Sequence, residues 1–278
     1  MTGPVIRSLV WATDIDVLAL DKRVERRDGY WRIESPSNHT FWWGNFLLFD
    51  EAPEAGDLER WTALFDAEFK DTPEIRHRVF AWDQTDAEPG EIGQFIEQGY
   101  ETETVSGLTA TPDRLTAHPK ANPAVEVRPL SPVEGEDAEL WDGVLEIQLA
   151  ELATSQPRDA YAREFREGRN RGLRELFRAG RGSWYVAIQD GQVVGSLGIV
   201  VTDGRARFQS VDTAVSHRRQ GVARRLVHEA ARHAGAQQPI DHYVMVADPD
   251  YHAIGIYESL GFARAETVVG VCLKPSGR

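Results

Sequence analysis

The chain has 278 residues, 41% of them hydrophobic and 27% charged, which suits two domains of roughly 120–150 residues better than one core. A net charge of −13, a single cysteine (Cys272) and the lack of any apolar run near the roughly 20 residues of a membrane span argue against non-specific nucleic-acid binding, an internal disulfide, a multi-cysteine metal site and a membrane protein. The acidity sits in the first half: residues 1–124 carry 12 Lys and Arg against 23 Asp and Glu, and residues 125–278 carry 19 against 21.

The chain opens with MTGPVIRSLVWATDID, which has no basic segment followed by an apolar stretch and a small-residue cleavage site, so a cytoplasmic protein is expected. Six of the eight tryptophans precede residue 83, so the first half should be well packed; the Trp42-Trp43 pair is read as packing. Prolines at 112, 119, 123, 129 and 132 mark a linker. The expected division is a first domain at 1–112, a linker at 113–124 and a second domain at 125–278. Beyond the linker, 125–130 alternates like a short strand, and two helical stretches follow at about 136–153 and 158–179. Strands are expected at 183–189 and 193–201, joined by Asp190-Gly191, then one at 206–213, a helix over about 220–236 and a strand at 240–247. A helix over about 251–260 and a final strand pair after Phe262 complete an α/β order with a mixed sheet and helices on its faces.

The first half resembles the second. Phe95 to Tyr100 and Tyr257 to Phe262 share the spacing aromatic, glycine four residues on, aromatic, and each is followed by a similar strand. GNFLLFD, ending at Asp50, aligns with ARFQSVD, ending at Asp212. A duplication is expected, with one difference. From Asp212 to Gly221 is nine residues and includes two arginines; from Asp50 to Gly56 is six, with none between.

The loop after Asp212 concentrates the chemistry. Apolar residues at 222, 226, 227, 230, 231 and 234 recur at helical spacing, so a helix begins at or near Gln220. Its start presents unbonded N–H groups and the positive end of the helix dipole, an anion site surrounded by Arg218, Arg219, Arg224 and Arg225. Gly221 and Ala223 are small where a phosphate would approach.

Arg218-Arg219-Gln220-Gly221-Val222-Ala223 resembles the [QR]-x-x-G-x-[GA] loop of the GNAT acetyltransferases. Asp250 to Phe262 is similar to that family's N-x-x-A-x-x-x-Y-E-x-x-G-F helix, with Asp250 in place of the usual asparagine. The resemblance covers about 125–278 well and 1–110 as a degenerate copy, which implies a tandem protein: two GNAT-like domains, each a mixed, mostly antiparallel twisted sheet flanked by helices. It implies acetyl-CoA as donor, with Thr213, Ala214 and Val215 holding the pantetheine arm through main-chain groups. The N–H groups around Gln220, Gly221, Val222, Ala223 and Arg224 would hold the pyrophosphate, and Tyr257 would protonate the departing thiolate. An amine attacking a thioester must be neutral, its oxyanion needs a donor and the thiolate needs a proton.

Asp212 is the carboxylate nearest the loop and the candidate base, directly or through water; His217 and His242 are lesser candidates, and no metal is implied. The expected activity is N-acetyl transfer to a primary amine within a ternary complex. Two alternatives stand beside it: a non-catalytic acyl-CoA sensor, and a GNAT using another acyl donor or acceptor. The first domain is expected to serve stability, dimerisation or the wall of the acceptor pocket.

Overall fold

The computed structural model describes residues 5–155, 160–250 and 253–275; for 152–155, 160 and 161 it describes the backbone alone. Packing divides the chain into two units, one of Met1–Gly107 with Ala265–Arg278, the other of Leu108–Arg264.

In the first unit the order is α1 (Leu9–Asp16), β1 (Arg23–Arg26), β2 (Tyr30–Glu34), β3 (Phe46–Phe49), α2 (Asp57–Glu68), β4 (Arg78–Trp82), α3 (Gly93–Glu97) and β5 (Glu101–Ala110), whose last residues pass into the second unit. Strands β1, β2 and β3 pair antiparallel, and β3 runs parallel to β4. Helix α1 can start because its unbonded N–H groups find acceptors: the Ser8 hydroxyl takes the Trp11 N–H, and the buried Asp83 carboxylate takes those of Arg7 and Ser8 at 2.7 and 2.8 Å. Helix α2 turns Trp61 and Phe65, four residues apart, onto the sheet, where Trp61 stacks on Phe49 at 3.7 Å. Trp43 stacks on Trp11 at 5.3 Å, a packing role.

The second unit contains β6 (Glu126–Leu130), α4 (Ala138–Ser155), α5 (Ala160–Arg178), β7 (Gly182–Gln189), β8 (Gln192–Thr202), β9 (Arg205–Thr213), α6 (Val222–Gln237), β10 (His242–Ala247) and α7 (Ala253–Glu258). Its hairpins turn at Asp190-Gly191 and Asp203-Gly204, four residues with φ between 48° and 76°, the left-handed conformation that a two-residue hairpin turn requires. Strands β6 to β9 pair antiparallel in chain order, and β10 runs parallel to β9. The succession β7-β8-β9-α6-β10-α7 repeats β1-β2-β3-α2-β4-α3. The two glycines that cap α2 and α6, Gly56 and Gly221, have φ of 90° and 79°; those ending α3 and α7, Gly99 and Gly261, have 87° and 105°. The duplication read from the aromatic-glycine spacing is present in the backbone. The strands of each unit pair in both parallel and antiparallel sense and carry helices, the mixed arrangement expected.

The end of the chain differs from the expected strand pair. One strand, β11 (Ala263–Leu273), runs the whole way, and from Gly270 to Leu273 it pairs antiparallel with β4, so residues 265–275 pack in the first unit. Nothing in 263–273 supplies a turn. Gly270 is small for another reason: a Cβ there would lie 2.5 Å from the Trp43 ring and 3.0 Å from the Phe80 carbonyl. Among the described residues no helix is long and apolar enough to cross a membrane, and no cluster of His, Cys, Asp or Glu is arranged to hold a metal.

Candidate active site

Strand β9 carries the site because its second half escapes ordinary pairing. Its parallel register with β10 covers Arg205 to Arg207 only. On the other edge, Ser196 faces Asp212 while Gly198 faces Gln209, so β9 holds one extra residue, and Ser210 bends it with φ of 47°. The chain leaves β9 at Thr213, makes a single 3-10 turn at Val215–His217 and enters α6 through Gly221.

Helix α6 starts at Val222, two residues after the expected Gln220, with Gly221 in the left-handed conformation as its cap, and among the described residues the N–H groups of Gly221 to Arg224 find no backbone or side-chain acceptor. These donors point where an anion is stabilised. The reason for glycine here differs from the expected one. A Cβ at Gly221 would lie 2.0 Å from the Lys120 carbonyl oxygen, and the Asn122 N–H donates to the Gly221 carbonyl at 3.2 Å. The linker straps the helix start, and that strap, before any ligand, excludes a side chain.

The other loop residues divide into those tied within the protein and those left in solvent. Arg218 forms an ion pair with Glu151 of α4, and its Nε donates to the Thr213 carbonyl at 3.4 Å. Arg224 Nε donates to the Ser259 hydroxyl at 3.3 Å, and Gln220 Nε2 to the Ser216 carbonyl at 2.9 Å. Arg219 is exposed with φ of 60°. Val222 and Tyr257 belong to the core cluster under the sheet, the Tyr257 ring 6.3 Å from Phe262; Ala223 is half-buried. Ala214 donates its N–H to the Val194 carbonyl at 2.9 Å, so that group is committed to the β8 edge, and Val215 is 60% exposed. Thr213, Ala214, Val215 and Arg218 line a cavity of about 870 Å³ whose far wall is the α4 face bearing Glu139, Glu146 and Ile147. That volume lies within the usual range for small-ligand pockets, about 300–1,000 Å³. Asp250 stands apart, exposed in the turn after β10, its N–H donated to Asp248 Oδ1. His242 opens β10 opposite Arg205, the far end of β9 from the loop, and cannot act there. His217 Nδ1 meets the Ser216 hydroxyl at 2.9 Å on the exposed turn.

Between α4, α5 and the sheet, beside the buried Trp184 that packs on Trp141 of α4, lies a group of polar side chains that the apolar core under α6 does not have. Gln148 and Asn170 exchange amide hydrogen bonds, and Arg169 donates to Gln209 Oε1 at 2.7 Å. Asp212 lies here with its Oδ2 shut off from solvent and no hydrogen-bond partner. Burial pushes its pKa up from 3.8 to about 6; Arg166 and Arg218 draw it down and Glu151 adds to the rise. Across from it, Arg166 of α5 buries its own Nε without a partner, and burial lowers its pKa. The equivalent acid of the first unit has the opposite surroundings. Asp50 receives two hydrogen bonds from Arg26, both at 2.6 Å, and this pairing holds its carboxyl below the usual range. Likewise, Phe95 takes the place of Tyr257, and the hydroxyl of that aromatic pair falls on Tyr100.

Arg166 belongs to no motif that the sequence displays. Its signal is position: Ala162, Arg166, Arg169, Leu173 and Leu176 recur at helical spacing, so the cation stands on the inward stripe of α5.

Residues 141–262 match the acetyltransferase (GNAT) family. No curated protein matches the chain. Among solved structures it is similar to a functionally unknown conserved protein from Staphylococcus epidermidis, with TM-score 0.70, 14% identity and 92% of this chain and 95% of that one covered. It is also similar to a GCN5-related N-acetyltransferase from Kribbella flavida, with TM-score 0.66, 16% identity and coverages of 98% and 96%. A tandem GNAT protein from the clavulanic acid biosynthesis pathway covers 100% of the chain and 91% of its own length, with TM-score 0.54 and 16% identity. At these identities the likeness is one of fold, and it extends over both units.

Proposed function

We propose that this chain, whose residues 141–262 belong to the acetyltransferase (GNAT) family, moves an acetyl group from acetyl-CoA to a primary amine at one site per chain, in the second unit. The observation that carries this reading is the contrast between equivalent acids. Asp50 is neutralised by Arg26, whereas Asp212 is left unpaired, next in the chain to the cavity-lining Thr213 and ahead of a helix start whose N–H groups have no acceptor among the described residues. An unpaired buried carboxylate is costly, and sites that hold one are often functional.

In this reading the N–H groups from Gly221 to Arg224 bind the pyrophosphate. Asp212, with a pKa of about 6, is ionised at neutral pH and basic enough to take a proton. It removes the first proton from the ammonium of the acceptor and passes it to solvent. The neutral nitrogen then bonds to the thioester carbonyl carbon, and the C–S bond breaks with its electron pair on sulfur. Tyr257 gives its proton to the thiolate, and the second proton lost by nitrogen restores the tyrosine. Holding both reactants in a ternary complex supplies much of the acceleration. The proposed setting is the cytoplasm.

Amine-dependent release of thiol from acetyl-CoA is the test. The reading expects release to require an amine and to yield the N-acetyl product. Tight acetyl-CoA binding with no amine acetylated would instead make this a ligand-sensing module.

A further inference from the structure

The polar group between α4, α5 and the sheet holds more than a base. Among the described residues the Arg166 guanidinium makes no hydrogen bond and no ion pair; its one specific contact is the ring of its neighbour Phe165, 5.2 Å away. Asp212 is near enough to act on it electrostatically, yet no nitrogen–oxygen pair of the two side chains comes within the 4.0 Å of an ion pair. Glu151, the other carboxylate facing Arg166, is held by Arg218. Ser196, fully buried and directly across the strand pair from Asp212, also leaves its hydroxyl without a partner.

Three polar side chains of different kinds, a cation, an anion and a hydroxyl, thus each keep an atom shut off from solvent without a partner. Buried charges are ordinarily paired, since an uncompensated one costs several kcal/mol. Opposite charges on neighbouring elements that stop short of contact are satisfied together by a molecule that carries the complementary pair. Its ammonium would go to Asp212 and its anionic group to the guanidinium, whose planar fork matches a carboxylate.

We propose that Arg166 anchors the carboxylate of the acceptor, and that the acceptor is a free amino acid whose amine is presented to Asp212. This deepens the acetyltransferase reading and rests on it. An acceptor held at both ends is oriented before reaction, and a plain amine, leaving Arg166 unpaired, is rejected because the site would bury an uncompensated charge. Ser196 is placed to share the ammonium between its own hydroxyl and Asp212.

The experiment uses the full chain with acetyl-CoA and thiol detection. The acceptors are α-, β- and γ-amino acids, each beside the amine obtained by removing its carboxylate. At least one amino acid should be turned over, with kcat/KM at least 100-fold above that of its decarboxylated partner. Arg166→Gln should raise KM for that amino acid at least tenfold and leave KM for acetyl-CoA unchanged, with Arg166→Lys recovering part of the loss. Since Arg166 makes no bond within the protein, Arg166→Gln should melt no lower than the native chain. Decarboxylated amines reacting as well as the acids, or an unchanged KM in Arg166→Gln, overturns the proposal. So does failure of every amino acid to react. Coenzyme A titrated into the same preparations separates the two failures: if it binds while no amino acid reacts, the acceptor class is wrong, and if it does not bind, the acetyltransferase reading itself is wrong.

Discussion

Asp212→Asn should make the protein more stable at neutral pH while removing its activity. Burial raises the Asp212 pKa from 3.8 to about 6. At about 1.36 kcal/mol per unit, holding this side chain ionised in the folded state costs about 3 kcal/mol at pH 7.5. A raised carboxyl pKa means that the native state binds more protons than the unfolded state between the two values, so stability falls as pH rises from about 4 to 6 and stays low above. At pH 4.5 the folded side chain is protonated and the cost shrinks to about 1 kcal/mol. Asparagine carries no titrating group, although its buried amide incurs a fixed penalty of about 1–3 kcal/mol if left unbonded. That penalty is independent of pH, so the pH-dependent part isolates Asp212. The stability advantage of Asp212→Asn over the native chain should drop by about 2 kcal/mol between pH 7.5 and 4.5, a few degrees in Tm at about 2–4 °C per kcal/mol. Thermal melts of both proteins at pH 4.5, 5.5, 6.5 and 7.5 measure it. A difference that does not change with pH would mean that Asp212 is not held ionised at a cost, and its assignment as a poised base would go with it.

Tyr257→Phe keeps the ring packed on Phe262 and removes its transferable proton. Acetyl-CoA affinity should stay within about twofold while turnover falls by about 10²–10⁴, the range for losing a general acid; equal turnover would refute that role. Calorimetric titration should find one coenzyme A per chain, because the first unit has a shorter loop without arginine and pairs Asp50 with Arg26; two equivalent sites would contradict this. Gly221→Ala should lower the melting temperature as well as coenzyme A affinity, since its methyl collides with the Lys120 carbonyl; a variant that melts like the native chain would show that the strap can move aside.

What could be read in the sequence was local. The start of α6 followed from a glycine ahead of helically spaced apolar residues, both hairpin turns of the second unit carry Asp-Gly, and the duplication was visible because Gly99 and Gly261 end short helices in the same left-handed conformation. What could not be read depended on distant partners. Residues 263–273 have strand composition but nothing in them names β4 as a neighbour, and the contact of Lys120 with Gly221 spans a hundred residues of chain. Gly221 was thus assigned to the ligand when the protein itself demands it. Arg166 went unnoticed because an arginine in an arginine-rich helix usually points to water, and only its place on the inward stripe of α5 says otherwise.

Ala223→Glu tests the central claim most directly. A carboxylate in the first turn of α6, which has no acidic residue there, suits the helix dipole and should preserve the fold, yet it sets a negative charge among the donors assigned to the pyrophosphate. Amine-dependent thiol release from acetyl-CoA should fall by at least about 100-fold in this variant, through a rise in KM for acetyl-CoA, with the melting temperature unchanged. A folded Ala223→Glu protein that transfers acetyl groups with the native KM would place the donor, and the active site, somewhere else.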